Sequence, residues 1–119
     1  MPGQVLSQLI ESITIDAYSA EEQLMGFLTV FGDEIALPCV ANILDVDVEV
    51  LGFDVKEDER RGLVASCRRA GGRPGAVSFA DVRFHSGTVA AWLHAAFRTW
   101  LGLETFPARR PAGWSWPEP

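Results

Sequence analysis

Cysteine and histidine are scarce in this chain: Cys39, Cys67, His85 and His94 are all it has of either. The two cysteines form no CxxC pair, so neither a disulfide framework nor a structural zinc site is indicated, and two buried thiols are expected. With no GxSxG and no recognisable Cys/His arrangement, nucleophilic catalysis has nothing to work with. No catalytic or organic-cofactor residue is assigned, and the chain is read as a non-enzyme. His94 reads as a boundary residue beside the apolar stripe of a helix, and His85 as a loop residue. Long apolar runs are also missing. The longest stretch without a formal charge, Phe84 to Phe97, contains both histidines and falls short of the roughly 18 to 20 apolar residues of a membrane span. The opening Met1-Pro2-Gly3-Gln4 lacks the basic region and apolar run of a secretory signal, which makes a cytoplasmic address the default expectation.

Each half of the chain is short of charge of one sign. Residues 1–59 hold thirteen acids against Lys56 alone, and residues 60–119 hold nine arginines against Asp81, Glu104 and Glu118. A net charge of −6 over 119 residues therefore conceals an acidic half and a basic half that the fold must bring together. The length suits one domain, and a composition 48% hydrophobic and 22% charged is that of a globular chain.

Along the chain, Val5, Leu6, Leu9 and Ile10 make only a weak apolar pattern without a cap, so residues 1–13 read as a frayed turn or loose arm. Ser19-Ala20-Glu21-Glu22 is a capping box, and Leu24, Phe27, Leu28 and Phe31 recur at helical spacing up to Gly32. From Val46 the period changes to two, with Val46, Val48 and Val50 alternating with Asp47 and Glu49 as in a half-buried antiparallel strand. The apolar parity switches at Val50-Leu51-Gly52-Phe53, which predicts a bulge or bend at Gly52. Lys56 to Arg60 reads as a polar hairpin connection, Gly62 to Arg69 as the returning strand, and Ala76 to Phe84 as a further strand after a turn at residues 71–75. A helix from about Thr88 to Leu101, apolar at Val89, Trp92, Leu93, Ala96, Phe97 and Trp100, should cover the sheet. The expected domain is residues 14–103, followed by a tail, 104–119, with four of the seven prolines. Its Trp114 and Trp116 either dock on the domain or serve a partner.

The sequence's main chemical candidate is acidic. Asp45, Asp47 and Glu49 fall on one strand face, about 6 to 7 Å apart at each step, and a hard cation such as calcium needs clustered oxygen ligands. Asp33, Glu34, Asp54, Glu57, Asp58 and Glu59 lie in nearby connections. The alternative is a solvated face whose acids pair across the sheet with Arg60, Arg61, Arg68 or Arg69. The segment is no EF-hand, because Val50 replaces the turn glycine and Lys56 stands where the bidentate glutamate belongs. Arg60, Arg61, Arg68, Arg69, Arg73 and Arg83 raise the question of nucleic acid. The net negative charge opposes a phosphate backbone, so no nucleic-acid partner is expected.

Several blocks together resemble the CcbP-like calcium-binding proteins, a family of small cyanobacterial-type proteins. They are Glu21-Glu22-Gln23-Leu24-Met25-Gly26-Phe27-Leu28, Asp33-Glu34-Ile35-Ala36-Leu37-Pro38, Val48-Glu49-Val50-Leu51, Arg61-Gly62-Leu63-Val64-Ala65, Val77-Ser78-Phe79-Ala80-Asp81-Val82 and Phe97-Arg98-Thr99-Trp100-Leu101-Gly102. The resemblance spans about residues 14–103 and implies a bacterial intracellular protein that binds a calcium ion through surface carboxylates, as a buffer or sensor. Carried over by position, Asp33, Glu34, Glu49 and Asp81 lie inside matching blocks, with Asp54 just beyond one. Asp45 and Asp47 come from the strand spacing alone. The arginine-rich second half and the tryptophan-bearing tail depart from the family pattern, and the arginines weaken the field that attracts a divalent cation. The expected fold is α+β: an N-terminal helix, a bent antiparallel sheet resembling a small SH3-like barrel, and a C-terminal helix. The second functional reading is a protein-interaction module that uses the barrel or the tail to dock a protein partner.

Overall fold

A computed structural model describes residues 2–55, 62–114 and 116, with the backbone alone for residues 2–5. The element order is α1 (Pro2–Ile13), α2 (Ala20–Glu34), β1 (Cys39–Ile43), β2 (Val46–Val55), β3 (Leu63–Arg68), β4 (Gly75–Ser78), a 3₁₀ helix (Phe79–Asp81) and α3 (Val89–Trp100). The fold is α+β, with an antiparallel sheet in the order β1-β2-β3-β4.

Both helix starts follow their side-chain caps. Ser19 Oγ accepts from the Glu22 amide at 3.1 Å and Thr88 Oγ1 from the Ala91 amide at 3.1 Å, satisfying donors that the first turns leave free. Helix α2 runs past Gly32 to Glu34 because the Ile35 amide still reaches the Phe31 carbonyl. Residues 2–13, expected as a frayed turn or loose arm, instead form α1. Leu6, Leu9 and Ile13 lie on one face of it and are buried, so tertiary burial supplies what the missing cap does not. Helix α2 passes so close to the end of α1 that a Cβ on Gly26 would sit 2.7 Å from the Ile13 carbonyl oxygen.

In the sheet, Glu49 pairs with Arg68, Val50 with Cys67 and Gly52 with Ser66, leaving Leu51 as the extra residue of a bulge. The bulge resolves the parity switch. Val48 and Val50 before it and Phe53 and Val55 after it all reach the core, while Asp47, Glu49 and Asp54 face outward. Residues 76–84 are a strand only in part. β4 ends at Ser78, and the 3₁₀ turn then buries Phe79, Ala80 and Val82, which a continuous strand would have placed on alternating faces. The barrel is not completed by a ladder: after the 3₁₀ turn the chain returns to β1 through one antiparallel bridge, Asn42 with Arg83.

The core is aromatic. Phe31 stacks on Phe79 with centroids 4.5 Å apart, and Phe53, Phe84 and Phe97 pack around the same ring. His94, expected at the edge of the apolar stripe of its helix, lies fully inside this cluster, where its Nε2–H donates to the Phe79 carbonyl at 2.8 Å. Burial, with Arg98 adding to it, lowers the His94 pKa to about 4 from 6.5, against the opposing effect of the Phe79 hydrogen bond.

This burial has a pH consequence. Below pH 6.5 the unfolded chain takes up a proton at His94 that the folded chain refuses until about pH 4. Stability should therefore be fully present above pH 6.5 and fall through that window, by about 3 kcal/mol at its lower end. Urea denaturation at pH 7, 5.5 and 4.5 on wild type and His94→Gln checks this: the variant should start less stable and show a flatter decline.

Candidate functional site

Three of the acidic candidates, Asp45, Asp47 and Glu49, lie along the β1–β2 hairpin but do not form a cage. Leu44 and Asp45 make its two-residue turn with φ of 49° and 66°, the left-handed pair of a type I′ hairpin. Asp45 thus lies in the turn and not on the strand, and its amide donates to Asn42 Oδ1 at 2.8 Å. Asp47 and Glu49 lie two residues apart on the outer face of β2, as the alternation predicts. Asn42, directly opposite Asp47, reaches its carboxylate with Nδ2 at 3.4 Å. Glu49 meets its cross-strand neighbour Arg68 at 2.6 Å.

The remaining acids are dispersed. Asp54 accepts from the Val55 amide at 2.8 Å, and Asp33 is exposed at the end of α2. Glu34 accepts from Trp114 Nε1 at 3.1 Å, so it anchors the tail. Asp81 is exposed at the end of the 3₁₀ helix. Glu57, Asp58 and Glu59, with Lys56, Arg60 and Arg61, lie outside the described residues. Among the described residues no three His, Cys, Asp or Glu side chains come together to hold a metal ion. The described residues therefore offer calcium no preassembled shell, only separate carboxylates, several of which already hold protein partners.

The outer face is shared between both signs of charge. Asp47, Glu49, Arg68 and Arg69 line one open groove of about 550 Å³. Arg68 thus stands where it both neutralises Glu49 and repels an incoming cation. Sequence spacing finds the acids, whereas this competitor nineteen residues away is fixed only by the register across the bulge.

The other sequence candidates have structural employment. Cys39 and Cys67 flank Val50 in one cross-strand row, and both are free thiols. Burial pushes both thiols up, with Cys39 adding to the effect on Cys67. The tail docks on the domain. Phe106 lies between Arg83 and Arg98, with guanidinium carbons 4.5 and 4.2 Å from its ring centroid, and stacks on His94. The Arg109 amide donates to the Ser86 carbonyl, and Trp114 and Trp116 pack beside Leu9 and Trp92. Among the described residues no helix is long and apolar enough to cross a membrane.

Because the Glu49–Arg68 pair is half exposed, it contributes at most about 1 kcal/mol. Arg68→Gln should lower stability by no more than that in urea denaturation at pH 7, leaving a folded protein with an unpaired Glu49.

No family model matches the sequence, and no curated protein matches it. Among solved structures, the crystal structure of Anabaena CcbP superposes with a TM-score of 0.70 over 85% of this chain and 94% of that one, at 20% sequence identity. At that identity the likeness speaks to architecture. The chain has the CcbP-like fold, in agreement with the resemblance carried by its sequence blocks.

Proposed function

We propose that the chain binds calcium weakly on the outer face of the β1–β2 hairpin, through Asp47 and Glu49 with Asp45 in the adjoining turn. The observation that carries the reading is the fold shared with CcbP across 85% of the chain, taken with the sequence blocks that resemble a calcium-binding family. The local chemistry is compatible with it. Calcium takes six to eight oxygens at about 2.3 to 2.6 Å and tolerates irregular shells, so exposed carboxylates supplemented by water can bind it. With so few protein ligands and Arg68 in competition, the dissociation constant falls at the weak end, roughly 0.1 to 1 mM.

Asp33, Glu34, Asp54 and Asp81 contribute less in this reading: Asp33, Glu34 and Asp81 stand on other elements, Glu34 already anchors Trp114, and Asp54 lies beyond the bulge at the far end of β2. A weak and open site suits a calcium buffer better than a sensor, which needs a two-state element that the ion biases. Nothing in this role calls for catalysis. A second reading, a surface that docks protein, is favoured by the uncovered apolar groove at the hairpin end of the sheet.

Isothermal calorimetry on chelator-treated protein at about 0.15 M salt, with magnesium as control, tests the calcium reading, since that salt screens loose attraction. Saturable, calcium-preferring heat is expected. Asp45→Asn/Asp47→Asn/Glu49→Gln should weaken it at least about tenfold, or 1.4 kcal/mol. Arg68→Gln should strengthen it several-fold by releasing Glu49. Heat identical for both cations in wild type would overturn calcium binding itself. Calcium binding untouched by the triple substitution would overturn only the hairpin as its place.

A further inference from the structure

Helix α2 and the 3₁₀ turn cover one end of the sheet's inner face, with α3 packed on α1, α2 and the 3₁₀ turn behind them. At the other end, Val46, Val48 and Val77 line an open groove of about 490 Å³ together with Leu44, Arg69 and Arg73. The groove's two sides differ in charge and come from different hairpins. The β1–β2 side carries Leu44 and Val46, with Asp45 next to Leu44 in the turn. The β3–β4 side carries Arg69 and Arg73, whose guanidinium groups make no hydrogen bond or ion pair with any described residue.

Leu44 is the unusual residue here. It is 93% exposed, and it holds a φ of 49° at a turn position that favours asparagine, aspartate or glycine. A large apolar side chain at such a position gains nothing for the isolated fold, since it is neither buried nor at ease in its backbone. It does project from the hairpin tip beside a groove of matching apolar character.

We infer that this hairpin end is a self-association surface, on which two copies of the chain meet about a two-fold axis with Leu44 of each entering the groove of the other. The charge arrangement supplies the argument for a second copy as the occupant. An acidic apolar tip next to a basic groove wall is self-complementary under two-fold rotation, which sets the turn residue Asp45 of each chain against Arg69 and Arg73 of the other. Attraction between exposed charges makes the association salt-sensitive, and the small apolar contact makes it weak.

Sedimentation of the full chain at about 0.1 M salt, from roughly 10 µM to 1 mM and with chelator present, tests this separately from calcium binding. A concentration-dependent monomer–dimer equilibrium is expected, loosened by salt, with Leu44→Asp weakening it at least about tenfold. Arg69→Glu/Arg73→Glu and Asp45→Lys should each be monomeric alone and should form a one-to-one heterodimer when mixed, because only the mixture restores both charge pairings. Circular dichroism on each variant establishes that it is folded. A wild-type chain that stays monomeric throughout overturns the inference. So does a dimer indifferent to Leu44→Asp, or a mixture of folded charge variants that stays monomeric.

Discussion

Helices α2 and α3, strand β2 and the chain leaving the 3₁₀ turn all meet at the ring of Phe79. Phe31 stacks on it, Phe53 and Phe97 meet it edge-on, and Phe84 tilts against it. Its carbonyl, one bond from the same backbone, holds the buried His94 imidazole. Packing of this density fixes where the sheet lies against the helices, and loss of one large ring would leave a void that its neighbours could refill only in part. The docked tail depends on the same cluster, since Phe106 rests on His94 and is clasped by Arg83 and Arg98.

The bulge at Leu51 connects that core to the surface chemistry. Without the extra residue, either Phe53 would leave the core or Asp47 and Glu49 would turn into it, because a one-residue slip exchanges the two faces of a strand. With it, one strand supplies valines and a phenylalanine to the interior and a line of acids to water. The same register brings Arg68 against Glu49, so the feature that displays the carboxylates also supplies their competitor. An acidic half and a basic half of the sequence thus meet on one sheet face.

Much of this architecture is legible in the residues. The capping box at Ser19, the helical spacing of Leu24 to Phe31, the two-residue period from Val46 and the parity switch at Gly52 are local signals, and each element lies where its signal puts it. Strand β1 is not legible: Cys39-Val40-Ala41-Asn42-Ile43 is short and lacks polar alternation, and pairing with β2 is what makes it a strand. Helix α1 likewise depends on burial of Leu6, Leu9 and Ile13 against distant elements. At the candidate site the identities of Asp47 and Glu49 and their common face are readable from spacing. Pairing across the sheet with one of Arg60, Arg61, Arg68 or Arg69 is readable too, but that Arg68 meets Glu49 and Asn42 meets Asp47 follows only from the register between strands, and Asp45 is diverted into the turn by the hairpin's own geometry.

The proposed place of calcium is the outer face of the β1–β2 hairpin. Amide chemical shifts followed through a calcium titration, with magnesium in parallel, test that placement residue by residue. Calcium-specific, saturable shifts confined to residues 42–50 and to Arg68 and Arg69 across the strand are expected, with the Phe79 core unmoved. Shifts equal for both cations, or calcium-specific shifts clustered away from the hairpin, would contradict it.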